Sequence, residues 1–160
     1  MKLIYKVISL LLIFNSMVAC NWCEDENHHW RIDLKNDSDK PFYVYYSTEN
    51  LETLARFVGA ITPDYKVLPQ ATNDKVLCMR YGWESFFGDP HIVNSDTLRI
   101  YILDADILES KKDIPKSIIQ RYDLSLKDLQ RLNWTLAYPP TVSMSNIKMW
   151  PPYGSSIKYQ

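Results

Sequence analysis

TLRIYIL, residues 97–103, sets Leu98, Ile100 and Ile102 against Arg99, Tyr101 and Leu103. Strict alternation of this kind is the period-2 signature of a strand with two distinct faces. The same signature lies upstream in WRIDLKN, 30–36, where Trp30, Ile32 and Leu34 alternate with Arg31, Asp33 and Lys35. NDSDKP then turns the chain into PFYVYYS, 41–47, whose two faces, Phe42, Val44, Tyr46 and Tyr43, Tyr45, are both aromatic or apolar. That composition suits an inner strand, and the short polar connection predicts that it pairs antiparallel with residues 30–36. Shorter strands are expected at KVLP, 66–69, and KVLCMRY, 75–81, with NWTLAY, 133–138, as the final strand, stopped by Pro139 and Pro140.

Helical signals are fewer. Leu51, Leu54, Ala55 and Val58 fall at helical spacing between Asn50 and Gly59. In RYDLSLKDLQRLNWTLAYPP, 121–140, Ser125 followed by Asp128 is close to a capping box, opening a helix that carries Leu126, Leu129 and Leu132. WESFFGDPH, 83–91, reads as an aromatic-rich loop or single turn closed by Gly88 and Pro90. Short strands, frequent turn signals and no βαβ rhythm predict a mainly β (or α+β) protein: a single antiparallel β-sandwich-like domain with two or three short helices. Two aromatic-Pro-Pro units, YPP at 138 and WPP at 150, suggest that residues 139–160 form an extended C-terminal arm on a domain spanning 30–138.

The chain has 160 residues, enough for one domain with a real core. Its 11 Tyr and 5 Trp against 4 Gly make it rich in aromatics, which favour strands. A formal charge of -1 carries no basic excess to neutralise a phosphate backbone, which argues against a dedicated nucleic-acid binder.

Lys2 and Lys6 precede VISLLLIF, 7–14, an apolar run of the length used by secretory leaders and too short to span a bilayer, for which roughly 20 apolar residues are needed. MVAC, 17–20, resembles the lipobox of bacterial lipoproteins, with Met17 in place of the usual leucine. The resemblance implies removal of residues 1–19 and diacylglyceryl attachment at Cys20. The alternative is plain secretion with Cys20 as a thiol. Losing Lys2 and Lys6 would leave a mature charge of about −3. Each buried methylene contributes about 0.8 kcal/mol, so two or three acyl chains hold a protein on a membrane where a single chain is marginal. Glu24, Asp25 and Glu26 make residues 20–29 an acidic tether, similar to the export signals that carry some Bacteroidetes lipoproteins to the cell surface. The 121–140 segment, the closing MWPPYG and the lipobox together resemble a group of small lipoproteins of gut Bacteroidetes. That resemblance implies a lineage and a shared domain, and brings no catalytic or binding residue with it. The address it implies is the cell envelope, at the outer membrane and on its surface in the fullest reading.

With Cys20 acylated, Cys23 and Cys78 are the candidate disulfide pair, against Cys78 packing as a small hydrophobe in its strand. His28 and His29 beside Cys23, Glu24 and Glu26 lack metal-ligand spacing, so no metal is expected and the two histidines read as solvated linker. Asp104, Asp106 and Glu109 lack the Gly and the final Glu of a calcium loop and read as strand-terminal turn residues. There is no G-x-S-x-G, no Gly-rich phosphate loop and no motif for a cofactor; His91 alone makes no triad. Trp83, Phe86 and Phe87 with Tyr43 and Tyr45 are the candidate ligand platform, a flat aromatic surface for sugar rings or an extended peptide, against the reading that they fill the core. Thr97, in DTL at 96–98, fits the short Asp-Ser/Thr-apolar pattern of Bacteroidetes O-glycosylation, against a hydroxyl buried at a strand start.

These features point to a lipid-anchored envelope protein, non-enzymatic, that binds a glycan or protein ligand. An immunity or interaction protein, a carboxylate-based hydrolase and a structural envelope protein are the alternatives.

Overall fold

The computed structural model describes residues 27–48, 63–89, 91, 96–111 and 114–155. The leader, Cys20, Cys23, the acidic residues 24–26 and the helix expected at 51–58 lie outside them. Among the described residues the protein is sheet-dominated, as expected. Its strands are β1 (Asp33–Asn36), β2 (Phe42–Ser47), β3 (Lys66–Val67), β4 (Thr72–Asn73), β5 (Leu98–Asp104), β6 (Ile118–Leu124), β7 (Thr135–Tyr138) and β8 (Lys148–Trp150). Short helices are α1 (Trp83–Gly88), α2 (Ala105–Lys111), α3 (Ile114–Ser117) and α4 (Leu126–Arg131).

The larger sheet runs β3-β2-β5-β6-β8 with every neighbour antiparallel. The smaller runs β4-β1-β7, and its β1–β7 pair is parallel. The expected pairing of β1 with β2 is therefore corrected, because the two strands belong to different sheets. The cause is Asn36, fully buried, whose Oδ1 accepts from the backbone and hydroxyl of Ser38 at 2.9 and 2.6 Å while Nδ2 donates to the Lys40 carbonyl at 2.8 Å. This Asx-type corner carries the chain from one sheet to the other instead of folding it into a hairpin.

Ile32 and Leu34 of the small sheet meet Val44, Ile100, Ile102 and Leu124 of the large one in the main core, closed at one side by Trp83 of α1 and Leu129 of α4. The large sheet's opposite face has a second cluster, in which Tyr43, Tyr101 and Leu103 pack under Leu108 of α2 and Ile114 of α3. The order of layers is thus small sheet, large sheet, then α2 and α3, with α1 and α4 at the side of the main core. No described helix is long and apolar enough to cross a membrane.

Local chemistry fixes several elements. The capping box at α4 is complete: Ser125 Oγ accepts from the Asp128 N–H and Asp128 Oδ2 accepts from the Ser125 N–H at 3.0 Å. WESFFG is a helix instead of a loop, entered through Gly82 at φ 77, a left-handed conformation that glycine adopts without steric cost. KVLCMRY makes only a single bridge, Cys78 to Arg31.

Residues 139–155 are no loose arm. Met144, Ile147 and Met149 are buried in the main core, and β8 extends the large sheet beyond β6, so β7 is not the last strand. Both aromatic-Pro bonds, Tyr138–Pro139 and Trp150–Pro151, are cis.

Candidate functional site

The antiparallel registers place side chains of four strands in rows across the outer face of the large sheet. One row reads Tyr45, Tyr101, Arg121 and Trp150, from β2 to β8. The next reads Ser47, Arg99, Asp123 and Lys148. Residues directly opposite in such pairs have their Cβ atoms about 4.5–5.5 Å apart, so each row is a line of neighbouring side chains.

At the β2–β5 end the row is closed: Tyr101 is buried, Tyr45 is tilted against it with ring centroids 6.4 Å apart, and the cluster under α2 and α3 continues from there. Burial pushes the Tyr101 hydroxyl above its usual pKa, although Arg121 and Arg99 pull the other way. At the β6–β8 end the face opens. Trp150 is 55% exposed and the Lys148 side chain 82% exposed.

Between them lies a cluster of charge. The Asp123 side chain is only 4% exposed, and three cations gather on it: Arg121 Nε at 2.9 Å, Lys148 Nζ at 3.7 Å and Arg99 Nε at 4.0 Å. Arg121 Nη2 also donates to Oδ2 at 3.2 Å, and Arg99 Nη1 donates to the Thr48 carbonyl at 2.6 Å. A buried carboxylate needs cationic partners, and one cation balances its charge. Three leave a local excess of about two positive charges beside an exposed indole.

The aromatic platform expected from the sequence is not assembled. Trp83 is completely buried, with Nε1 donating to the Leu77 carbonyl at 3.3 Å, and Phe86 and Tyr46 pack edge-on against its ring. Phe87 meets Phe86 edge-on at the margin of the core. Tyr43 and Tyr45 face the other side of the large sheet, because alternate residues of β2 point to opposite faces. Three aromatics outside that platform are exposed, Tyr81, Trp150 and Tyr153, and Trp150 is the one in the rows of the large sheet's outer face; its sequence signal was the MWPPYG unit.

The other expected sites resolve individually. Cys78 is an exposed free thiol and not a core residue, and Cys23 lies outside the described residues. Thr97 is partly exposed just ahead of β5, with its hydroxyl donating to Asp96 Oδ1 at 2.9 Å; it is not buried in the strand. Asp104 caps α2 by accepting from the Ile107 N–H at 2.9 Å. Glu109 Oε1 accepts from Lys66 Nζ at 2.7 Å and Tyr43 Oη at 2.9 Å, and the Lys66 bond, with that of Tyr43, holds its carboxyl below the usual pKa. Among the described residues no group of three or more His, Cys, Asp or Glu could hold a metal.

His29 is not solvated linker. Its ring stacks on Trp134 at 4.2 Å and 15°, its Nδ1 meets Glu84 Oε1, and its backbone N–H donates to Glu84 Oε2 at 2.9 Å. Trp134 reaches this position from a left-handed backbone, φ 58, directly after Asn133 at φ 54. A bulky residue in that region is an outlier, costing of order 1–3 kcal/mol. His29, Arg31, Asp33, Asn133 and Trp134 line a polar cleft of about 210 Å³ there.

No protein-family model matches the chain, no curated protein is significantly similar to it, and no solved structure significantly matches its fold.

Proposed function

We propose that the protein is a lipid-anchored, non-enzymatic binding or accessory module of the bacterial cell envelope, with its ligand, a glycan or a protein, on the β6–β8 half of the large sheet. The observation that carries this reading is the juxtaposition of exposed Trp150 with Arg121 and Lys148 on one open sheet face. A flat face with one large aromatic and several hydrogen-bond donors binds by stacking and polar complementarity. The anchor rests on the leader pattern and MVAC at 17–20. It would fix the domain at a membrane through a tether reaching Asn27, where the described domain begins.

The carboxylate-based hydrolase loses its support at Asp104 and Glu109, which are committed to different partners, the start of α2 and the Lys66–Tyr43 pair. An immunity or interaction protein and a structural envelope protein share the same address and differ in what they hold. Two experiments test the reading. Fatty-acid labelling of the full chain should mark the wild type and not Cys20→Ser. Glycan-array and pull-down assays with the released domain should return a ligand that Trp150→Ala loses. Absence of label removes the anchor; empty arrays and pull-downs beside a measurable hydrolase activity remove the binding module.

A further inference from the structure

We propose that the β6–β8 face selects acidic glycans: a carboxylate-bearing sugar ring lies on Trp150 and its carboxylate is held by Arg121 and Lys148. This rests on the binding reading above and names its ligand class.

The geometry comes from the register. Arg121 and Trp150 are direct cross-strand partners, and so are Asp123 and Lys148. The backbone positions of Trp150, Arg121 and Lys148 therefore occupy three corners of one rectangle on the sheet, about 4.8 Å wide across the strands and about 6.8 Å long, and the Arg121 guanidinium reaches along its strand to the Asp123 carboxylate, which Lys148 also faces. Those are the dimensions over which a six-membered sugar ring and its carboxylate extend.

The fourth corner, Asp123, explains why the guanidinium is rigid. Arg121 Nη2 donates to Asp123 Oδ2 at 3.2 Å and Nε lies 2.9 Å from Oδ1 as an ion contact without a hydrogen bond, and among the described residues Nη1 has no partner. Among the described residues Lys148 makes one ion pair, to Asp123 at 3.7 Å, and its exposed ammonium has donors to spare. Charge-assisted bonds from arginine and lysine to a carboxylate are about twice as strong as neutral ones, so the excess positive charge discriminates the acidic sugar from its neutral isostere. A neutral ring would stack on Trp150 equally well and leave that excess unanswered.

The extent of the face favours a saccharide over a protein. A stable protein interface takes about 800 Å² from each partner around a centre of several buried anchors. Here one exposed indole is flanked by cations, with buried Tyr101 on one side and Pro151 directly after it in the chain.

The test is calorimetric titration of the wild-type domain with trigalacturonate and with its fully methyl-esterified, uncharged form, at low and high salt. We expect binding of the acid form that weakens several-fold with salt, and binding of the ester at least about tenfold weaker. Lys148→Gln and Trp150→Ala, both at exposed positions, should each lower the acid-form affinity by roughly tenfold with an unchanged melting temperature. Arg121→Gln is informative only if its melting temperature also holds, since it uncovers the Asp123 carboxylate. Equal affinity for acid and ester, or no effect of Lys148→Gln, would overturn the charge-selective site while leaving a glycan-binding module standing. Stronger displacement by an acidic peptide than by trigalacturonate would overturn it in favour of a protein partner. No ligand of any kind on this face, by arrays as well as calorimetry, would instead remove the underlying binding reading.

Discussion

Glu84 grips His29 with both carboxylate oxygens, one on the backbone N–H at 2.9 Å and one on the ring Nδ1. The first residues of the described domain are thereby locked to α1, since the Trp83 N–H also donates to the His29 carbonyl at 2.8 Å. The opposite side of the imidazole is held by Trp134. A tether emerging from a membrane would meet the domain at this clamp.

Glu84→Ala should therefore lower stability by about 1–3 kcal/mol, the cost of stranding partly buried donors. Gly82→Ala should destabilise as well, because its φ of 77 disfavours any side chain. Urea unfolding measures both, and unchanged midpoints would show that the clamp is incidental.

Ser125→Ala removes one half of the capping box, and a loss of about 1 kcal/mol is expected. Leu129, on the first turns of that helix, is fully buried in the main core. Leu129→Ala should cost more, about 2–5 kcal/mol, by leaving a cavity. If the cap variant proved the more damaging of the two in thermal melts, the assigned order of these contributions would be wrong.

The Tyr43–Glu109–Lys66 network makes stability depend on pH at both ends. Its depressed carboxyl stabilises the fold above the ordinary glutamate pKa, and that contribution disappears as pH falls through the folded value. Tyr43 is raised by burial and then by Glu109, and Lys66 by its bond to Glu109, so their contributions are complete below about pH 10 and fade as each deprotonates. The stability gap between wild type and Glu109→Gln should be level from about pH 6 to 9 and narrow below about pH 4. A gap that widens in acid would contradict the assignment.

Tyr122 lies in the main core, where its hydroxyl donates to the Ala137 carbonyl at 2.9 Å and ties the large sheet to β7 of the small one. Burial raises its pKa far above the usual tyrosine range, so only unfolded chains ionise it near pH 10 and the fold weakens as pH rises beyond that. Near-ultraviolet titration should show a tyrosine ionising only with unfolding, absent in Tyr122→Phe. Complete titration of every tyrosine in folded protein would refute this.

Elements written in local chemistry were legible in the sequence. The alternation of 97–103 became β5, shifted by one residue, and Ser125 with Asp128 formed the expected cap. Elements set by distant contacts were not. β6 escaped because Gln120, Arg121 and Asp123 break the apolar pattern of IIQRYDL, and the partners of Gln120 and Asp123 there, Pro151 and Lys148, come some 25–31 residues later. β8 escaped because its Pro-Pro neighbour resembles an arm. The aromatic platform failed on facing: adjacent residues such as Tyr45 and Tyr46 look alike in sequence and lie on opposite sides of a sheet. Trp150 could have been found by asking which aromatic precedes a strand-ending proline with charged residues nearby, though its partner Arg121 could not.

The most direct test of the account is the fluorescence of Trp150 during ligand titration, with Trp150→Phe as the control. Trp30, Trp83 and Trp134 are half-buried or buried and the fifth tryptophan, Trp22, lies outside the described residues, so the signal of Trp150 is read as the difference between wild type and Trp150→Phe. The account predicts a saturable emission shift with the acidic trisaccharide, fitted by the calorimetric affinity and lost in Trp150→Phe. A ligand that binds with that affinity while the Trp150 signal stays constant would place the site elsewhere and remove the β6–β8 face as the ligand surface.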